Sequence, residues 1–322
     1  MKAIVYTKYG PPEVLQLKEV PRPIPQPNEL LIRTHAVFVG TEDIIQRKGK
    51  PYFGRLLIGL HTPKRPILGT EFCGTIEEAG NAVTMYRPGD TVCGVTGARF
   101  GCYAEYVCVP ETGLLRKKPP NMTAEEAAPI CGSLAAWNLL KNIARISKGQ
   151  KVLILCAYSS LGLAAVQIAS LSGSEVTGVC GPANADVVRA MGADSVISSE
   201  EFDLAKSCIT YDVILDASGR PSSMSFKHSL ASRGVYLTTY PTMSILWSHL
   251  WTSLWKGRRV VFAATAFKPL SERLAFLEEV GKLLAEGKMR TIVERSFELE
   301  QMREAHRYIE SRAETGNVVV TL

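Results

Sequence analysis

The stretch KVLILCAYSSLGLAAVQIASLSG, residues 151–173, decides the fold. A short apolar run, Val152–Leu155, stops at a group of small residues that includes one bulky side chain, Tyr158. A second run, Leu161–Leu171, is apolar on nearly every face and ends before a glycine. These lengths and flanks predict a buried strand, a tight turn and a buried helix. Because another apolar run follows at Val176–Cys180, the stretch predicts a β-α-β unit of a parallel sheet.

The turn between that strand and that helix is where the pyrophosphate of a dinucleotide normally binds, because the helix N-terminal amides point toward it. The usual fingerprint has glycine at three places, which here hold Ala157, Ser159 and Gly162. Alanine and serine are small enough for close approach of a ligand, although a positive φ strains them. The turn alone leaves two interpretations open, a dinucleotide site and the ordinary turn of any parallel α/β domain.

The composition excludes several classes of protein. With 322 residues, 46% of them hydrophobic, the chain can form two domains with large cores. No run reaches membrane-spanning length, and the first ten residues, MKAIVYTKYG, do not resemble a signal peptide. The net charge is +6, but Lys and Arg residues are scattered among Asp and Glu, so we expect no membrane or nucleic-acid partner. A small basic cluster leaves nucleic-acid binding open (Lys256, Arg258, Arg259). The eight cysteines form no CxxC pair, which predicts reduced thiols and a cytoplasmic protein.

Short apolar runs separated by Pro and Gly in residues 1–118 predict the strands of a small barrel. The predicted strands are Met1–Tyr6, Leu30–Val39, Phe72–Ala79, Thr91–Val95 and Cys102–Val109. Thr41–Lys48 is predicted to be a short helix with Thr41 as its N-cap, and 50–66 a long loop.

The remainder of the chain changes to a regular alternation of strands and helices. Pro119-Pro120-Asn121 forms a linker, after which Thr123 and Glu126 have the spacing of a capping box. The predicted strands are 152–155, 175–180, 195–197, 211–216, 235–239 and 260–264, and the predicted helices are 133–143, 161–172, 185–191 and 271–284. This order predicts a doubly wound parallel sheet, so we expect an α/β protein with a barrel domain at 1–120 and 268–322 and a doubly wound domain at 121–267.

Motifs spread in order over the whole chain carry a resemblance to a known family. They are PILGTEFCG at 66–74, RPGDTV at 87–92, YAEYV at 103–107, LAAW at 134–137, GQKVLI at 149–154, MGAD at 191–194, YDVILD at 211–216 and GNVVV at 316–320. With these motifs the chain resembles the medium-chain dehydrogenase/reductase superfamily, and within it the zinc-independent quinone-oxidoreductase-like branch. The resemblance implies a GroES-like β-barrel domain and a Rossmann domain, with NAD(P)(H) in the cleft between them. It also implies a homodimer, which many members of the branch form.

The metal ligands of the zinc alcohol dehydrogenases in this superfamily are replaced in this chain. Those enzymes have a Cys near the position of 39–41 and a His where Thr70 stands, before Glu71. The histidines are isolated, and the cysteines lack the spacing of a four-cysteine zinc lobe (His35, His61, Cys93, Cys102, Cys108). We therefore expect no metal site.

Cofactor preference is predicted from the end of the second strand of the doubly wound domain. NAD-binding proteins usually carry an acid there to hold the ribose 2′-hydroxyl, whereas this strand ends Cys180-Gly181-Pro182-Ala183-Asn184. The absence of an acid favours NADPH over NADH, although 181–184 can also be an ordinary turn. We expect cofactor contacts from a set of nine residues: Ser159, Ser160, Leu161, Gly162, Cys180, Gly181, Asn184, Ala217 and Tyr240.

On the substrate side, the candidates for catalysis are Thr41 and Tyr52, and Tyr240 is a further candidate for the substrate wall. Each also has a structural interpretation, a helix N-cap for Thr41 and packing for the tyrosines. Leu-Trp pairs repeat at four-residue spacing and form an apolar stripe on one helix (Leu246-Trp247, Leu250-Trp251, Leu254-Trp255). We expect this stripe to pack in the core or at a dimer interface; the alternative is a hydrophobic wall over the nicotinamide.

A substrate reduced without a metal must accept hydride with little Lewis-acid help. Quinones and α,β-unsaturated carbonyls fit this requirement because hydride addition gives a delocalised anion, which a hydroxyl or solvent then protonates. The sequence therefore predicts a zinc-independent, NADPH-dependent oxidoreductase that reduces quinones or activated alkenes. Two alternatives stay open: an enoyl or alkenal reductase acting on a lipid-like substrate, and a degenerate nucleotide-binding relative without catalysis.

Overall fold

The structure is a computed structural model that describes the chain except residues 51, 53–54, 205–208, 219–227, 254–256 and 312–315. Two compact units divide the chain: unit 1 is Met1–Cys131 with Leu270–Leu322, and unit 2 is Gly132–Pro269. The domain limits predicted from the sequence, 1–120 with 268–322 and 121–267, stay a prediction.

The described strands are β1 (Lys2–Val5), β2 (Gln16–Glu19), β3 (Glu29–Val39), β4 (Glu71–Ala79), β5 (Thr91–Val95), β6 (Tyr106–Pro110), β7 (Leu114–Lys117), β8 (Lys151–Leu155), β9 (Glu175–Cys180), β10 (Ser195–Ser198), β11 (Tyr211–Asp216), β12 (Leu230–Thr238), β13 (Arg259–Phe262), β14 (Val293–Glu298) and β15 (Asn317–Thr321). The described α-helices are α1 (Thr41–Lys48), α2 (Arg55–Ile58), α3 (Ala124–Ala127), α4 (Cys131–Trp137), α5 (Ser160–Leu171), α6 (Ala185–Ala190), α7 (Met243–Ser253), α8 (Leu270–Ala285) and α9 (Met302–Glu310). A π-helical segment, Asn138–Ala144, continues α4.

Unit 2 is built on a parallel sheet with the strand order β10-β9-β8-β11-β12-β13. From β8 the chain adds strands outward to β10, then returns to the other side of β8 and adds β11, β12 and β13. The order therefore reverses between β8 and β11. In doubly wound sheets, ligands bind outside the carboxyl ends of the strands at this kind of reversal. The predicted Rossmann sheet is confirmed, and the reversal of strand order lies next to the turn that follows β8.

Unit 1 contains a sheet with the order β14-β15-β3-β4-β5-β7, in which β6 also pairs with β3. Its pairs are antiparallel apart from β14 and β15, and β1 pairs separately with β2. The inward faces of these strands form one hydrophobic core that includes Leu30, Ile32, Phe72, Val92 and Val318. The arrangement confirms the predicted GroES-like barrel, to which the C-terminal segment contributes β14 and β15.

The apolar runs predicted most of the elements well. Helix α1 and strands β5, β9 and β11 have the predicted limits, and Thr123 caps α3 with Glu126 in the predicted capping box. Strand β2 was not predicted, because all its residues are exposed and give no apolar alternation. Strand β7 was also not predicted, and the long loop at 50–66 contains α2.

Two predicted strands begin four or five residues away from their predicted first residue. The predicted strand Cys102–Val109 begins only at Tyr106, because Cys102 and Tyr103 bond to separate partners: their N–H groups donate to Gly69 and Leu68. The predicted strand 235–239 is the second half of β12, which begins at Leu230. No helix in the described residues is long and apolar enough to cross a membrane, and the cysteines described there are free thiols.

Candidate functional site

The turn between β8 and α5 presents helix amides toward the carboxyl edge of the parallel sheet of unit 2. Ser159 is the N-cap of α5: its Oγ accepts from the Gly162 N–H at 3.0 Å and donates to the Cys156 carbonyl at 2.8 Å. The Leu163 N–H donates to the Ser159 carbonyl. The first amides of the helix, those of Ser160 and Leu161, have no carbonyl acceptor within the helix, and both residues are half-buried. They are the donors that an anion at this turn would meet.

Glycine is required in this turn at position 162. A Cβ there would lie 2.3 Å from the Cys156 carbonyl oxygen and 2.8 Å from the carbonyl carbon and Cα of Ala157. The missing side chain therefore lets the first turn of α5 pack directly on the backbone of the preceding turn. The positive φ falls on Cys156, at 58°, and Ser159 has a φ of −64°. The strained conformation expected at Ala157 or Ser159, where glycine is usual, is therefore adopted by Cys156, the residue before them. Tyr158, the one bulky residue of the turn, is buried.

The other predicted cofactor residues of unit 2 lie along the same edge of the sheet. Cys180 ends β9, and Gly181 and Asn184 belong to the following turn. Ala217 follows β11, and its N–H donates to the Leu155 carbonyl of β8 at 3.2 Å. Tyr240 follows β12 and is half-buried. The topology therefore brings all nine predicted cofactor residues to one edge, on both sides of the β8–β11 reversal.

A buried polar group at the same edge was missed by sequence reasoning. Asp216, the last residue of β11, accepts from the Ser218 N–H at 2.9 Å and from the Ser218 hydroxyl at 2.6 Å. Its second carboxylate oxygen accepts a short hydrogen bond from the Tyr236 hydroxyl of β12. These bonds compensate the burial of the carboxylate and fix the course of the chain as it leaves β11. The available signal was an aspartate at the end of an apolar strand, DVILD, at the edge where ligands bind.

The predicted catalytic residues lie in unit 1. Thr41 is the first residue of α1 and is exposed; the N-cap is Gly40, so the prediction that Thr41 caps the helix is wrong. The capping interaction is instead made by Asp43, whose carboxylate accepts from the Gly40 N–H at 3.1 Å. Tyr52 is 66% exposed, and the Arg55 guanidinium lies 5.0 Å from its ring centroid. A catalytic role for either residue stays a prediction.

Two buried acids lie beneath this surface of unit 1. Asp43 accepts from the Gly69 N–H at 3.2 Å as well as from Gly40, and burial raises its pKa to about 7. Glu71 accepts from the Ile130 and Cys131 amides, each at 2.7 Å, and burial raises its pKa to about 8. In both cases burial outweighs the amide donors, which favour the charged form. The two carboxyl groups can thus hold protons near neutral pH, and both lie at the segment Gly69-Thr70-Glu71.

Metal-ligating residues are not gathered in the described part of the chain, where no three His, Cys, Asp or Glu side chains could hold an ion. Thr70 stands directly before Glu71, and Gly40 and Thr41 begin α1. His35 is engaged with the Thr75 hydroxyl at 2.8 Å. The expectation of no metal stays a prediction.

The predicted apolar stripe lies on α7 and is exposed. Met243, Leu246, Trp247, Leu250 and Trp251 all belong to the exposed class, with Trp247 and Trp251 each 66% exposed. The prediction that the stripe packs in the core is therefore wrong for these residues, and its last pair, Leu254-Trp255, lies outside the described residues. The alternatives of a dimer interface and a wall over the nicotinamide stay predictions.

Comparison with known proteins gives consistent matches over the whole chain. Residues 26–120 match the family described as alcohol dehydrogenase GroES-like domain, and residues 191–320 match that described as zinc-binding dehydrogenase. The chain is 31% identical over 338 residues to the chloroplastic quinone-oxidoreductase QR1 of Triphysaria versicolor, covering 99% of this chain and 98% of that protein.

Solved structures agree with these matches. The quinone oxidoreductase from Coxiella burnetii is 28% identical, with a TM-score of 0.85 over 100% of this chain and 99% of that one. A mycobacterial protein, Rv1454c, solved with NADPH, is 25% identical, with a TM-score of 0.84 over 100% of both chains.

Proposed function

Because the chain belongs to the quinone-oxidoreductase-like branch of the medium-chain dehydrogenase/reductase superfamily, we propose that it reduces a quinone or an activated alkene with hydride from NADPH. That it is an oxidoreductase follows from its relatives; the acceptor and the coenzyme preference are the proposal. The observation that carries it is the α5 N-terminus, where Gly162 lets the first turn of the helix pack on the preceding turn and the Ser160 and Leu161 amides lack helical acceptors.

NADPH fits the residues along this edge of unit 2. The Ser160 and Leu161 amides would hold the pyrophosphate, with Ser159 and Gly162 shaping the turn. The turn Gly181–Asn184 carries no acid that would repel a 2′-phosphate, and a solved relative binds NADPH. Ala217 and Tyr240, beyond the reversal, would line the nicotinamide half. When bound, the coenzyme supplies the hydride, and the chain supplies orientation and exclusion of water.

The substrate side of the proposal depends on residue types in unit 1. Thr70 and Gly40 offer no imidazole or thiolate for a metal, so we propose zinc-independent chemistry and an acceptor whose reduced form is delocalised. Thr41 and Tyr52 offer exposed hydroxyls for orienting or protonating the substrate. Glu71, whose pKa burial raises to about 8, can hold a proton in the interior of the same unit. A homodimer and a cytoplasmic location complete the proposal; they rest on the resemblance and on the free thiols.

Coenzyme titration tests the proposal. We expect NADPH to raise the melting temperature more than NADH at equal concentration, because ligands that bind only the folded state stabilise it. Turnover is then measured with phenanthrenequinone and with alkenals, each with NADPH. Reduction of the quinone alone supports quinone reduction, and reduction of alkenals alone supports the enoyl alternative. A protein whose melting temperature responds to neither coenzyme would be a non-catalytic relative, and the proposal would be wrong.

A further inference from the structure

Two cysteines of unit 1 lie directly opposite each other in neighbouring strands. In the antiparallel pair of β4 and β5, the register places Cys73 opposite Cys93. Among the strands that the structure describes, this is the one place where a cysteine faces a cysteine. Both are free thiols, and Cys73 is 0% and Cys93 1% exposed. Neither belongs to the coenzyme edge of unit 2, so the proposed function does not use them.

The backbone hydrogen bonds show which kind of pair the two cysteines form. Antiparallel strands alternate between hydrogen-bonded pairs, with Cα atoms about 5.5 Å apart, and non-hydrogen-bonded pairs, with Cα atoms about 4.5 Å apart. The Thr96 N–H donates to the Thr70 carbonyl at 2.7 Å, so Thr70 and Thr96 form a hydrogen-bonded pair. Cys73 and Cys93 lie three positions further along the same register, which is an odd number. They therefore form a non-hydrogen-bonded pair, the closer of the two kinds.

The side chains of Cys73 and Cys93 point to the same face of the sheet. Thr75 and Thr91 form the next non-hydrogen-bonded pair on that face, and their hydroxyl oxygens are 3.2 Å apart. A disulfide needs Cα atoms about 4.4–6.8 Å apart. A non-hydrogen-bonded pair meets this requirement, so rotation of the two side chains brings the sulfur atoms together without a change of register.

The two thiols lie on the face of the sheet that points away from the barrel core. Their neighbours Phe72 and Val92 belong to that core, and successive side chains of a strand point to opposite faces. Burial raises the pKa of Cys73 to about 12 and that of Cys93 to about 11, so both are protonated at neutral pH. Arg116, opposite Cys93 on β7, counteracts the effect of burial on Cys93. Cys93 is therefore the thiol that ionises first.

We propose that Cys73 and Cys93 form a reversible disulfide when hydrogen peroxide reaches unit 1. The Cys93 thiolate attacks one oxygen of the peroxide and the O–O bond breaks, which leaves a sulfenic acid on Cys93 and a hydroxide that takes up the thiol proton as water. The Cys73 thiol then gives up its proton and attacks the Cys93 sulfur, which forms the S–S bond and releases the hydroxyl group as a second water. Two thiols and one peroxide thus give one disulfide and two waters.

The bond would join two strands that are already paired, so it would close a loop within the native sheet. Cys73 and Cys93 are 20 positions apart, and a cross-link over a loop of this length restricts mainly the unfolded chain. We expect the oxidised protein to melt about 5–10 °C higher than the reduced protein. Disulfides in a reducing compartment are usually transient and redox-sensing, and dithiothreitol should reverse both the bond and the shift in melting temperature.

Peroxide treatment of the full-length protein, followed by peptide mapping, tests the proposal. The reduced protein is incubated with hydrogen peroxide, the remaining thiols are blocked with iodoacetamide, and the protein is digested with Glu-C protease. This protease cuts after Glu77 and Glu78, between the two cysteines, so a disulfide joins two peptides that otherwise separate. We expect a cross-linked species lighter by two hydrogen atoms than the sum of the two peptides, and we expect dithiothreitol to abolish it.

Single substitutions assign the two roles. Cys73→Ala and Cys93→Ala should each lose the cross-link. Because the sulfenic acid on Cys93 persists in Cys73→Ala, dimedone should label it about tenfold more than it labels Cys73 in Cys93→Ala. Cys108→Ala is the matched control: Cys108 lies opposite Leu31 of β3, and this variant should form the cross-link to the same extent as the wild type. Circular dichroism checks that each variant is folded, and the peptide map of the wild type needs no variant.

Three results would overturn the proposal. The first is wild-type protein in which peroxide oxidises Cys108 but leaves Cys73 and Cys93 reduced. The second is a main product in which Cys73 or Cys93 is linked to another cysteine, which would contradict the register argument. The third is a cross-linked protein that melts at a lower temperature than the reduced one, which would show that the bond distorts the sheet.

Discussion

Replacing Gly162 by alanine tests whether the turn before α5 is both the packing point of unit 2 and the coenzyme site. The new Cβ would lie 2.3 Å from the Cys156 carbonyl oxygen and 2.8 Å from two backbone atoms of Ala157. All of these atoms belong to the backbone, so the helix or the turn must move. Overpacking of this kind costs about 1–3 kcal/mol, and the better helix propensity of alanine offsets up to about 1 kcal/mol of it. We expect a net loss of about 1–2 kcal/mol in the free energy of unfolding.

The same displacement should weaken coenzyme binding. The amides of Ser160 and Leu161 precede Gly162 in the first turn of α5 and would shift with it. A misplacement that costs about 1.4 kcal/mol raises the NADPH Kd about tenfold. Urea unfolding followed by circular dichroism gives the stability, and fluorescence titration of NADPH gives the Kd.

A matched control is available at Gly257, also in unit 2. Among the described residues, a Cβ at Gly257 would have one neighbour, the Ser232 carbonyl oxygen at 3.9 Å, which is ordinary contact. Gly257→Ala should therefore change the free energy of unfolding by less than about 0.5 kcal/mol and leave the Kd unaltered. If Gly162→Ala is as stable as Gly257→Ala, the inferred packing is wrong. If it is destabilised but binds NADPH with wild-type affinity, the pyrophosphate does not rest on this turn.

Three further substitutions test the buried polar groups. Burial raises the pKa of Glu71 from 4.5 to about 8, so between these pH values the folded state holds a proton that the unfolded state has lost. As the pH rises through this range, the free energy of unfolding of the wild type should fall by about 1.4 kcal/mol per pH unit relative to that of Glu71→Gln, as measured by urea unfolding. Burial, assisted by the neighbouring charge of Arg47, lowers the pKa of His306 from 6.5 to about 3. Because the unfolded state takes up a proton that the folded state excludes, the wild type should lose stability relative to His306→Phe as the pH falls below 6.5. Parallel curves of unfolding free energy against pH for the two proteins would contradict this. Tyr236→Phe removes one donor to the buried Asp216 carboxylate and should lower the free energy of unfolding by about 1.5–3 kcal/mol; a thermal melt indistinguishable from wild type would show that this hydrogen bond contributes nothing.

The fold could be predicted from the sequence wherever burial leaves a continuous apolar run. Strands β9 and β11 and helix α5 are buried along nearly their whole length, and their ends carry Gly, Ser or Asp. Strand β2 escaped prediction because its pairing with β1 uses the backbone while all four side chains face solvent. Prediction from hydrophobic periodicity depends on buried side chains, so a strand stabilised only by backbone hydrogen bonds shows no apolar pattern in the sequence.

The candidate site could be predicted only in part, because chain order and spatial order differ. The turn residues Ser159 to Gly162 are consecutive, and a single motif identified them. The bond between Asp216 and Tyr236 joins two neighbouring strands, and the bonds of Glu71 reach Ile130 and Cys131, 59 and 60 residues away. Nothing in the local sequence states these pairings. The first pairing arises from the sheet register, and the second from the contact between the start of β4 and the start of α4.

The apolar stripe of α7 illustrates a different limit of sequence reasoning. Four-residue spacing establishes which side chains share a helix face, but it does not state whether that face turns toward the core. Here the direction is set by Thr252 and His249, whose bonds to Val260 hold the polar side against β13. A net charge of +6 is similarly uninformative until it is located, because averaging over 322 residues conceals a segment, residues 217–271, without a single acid.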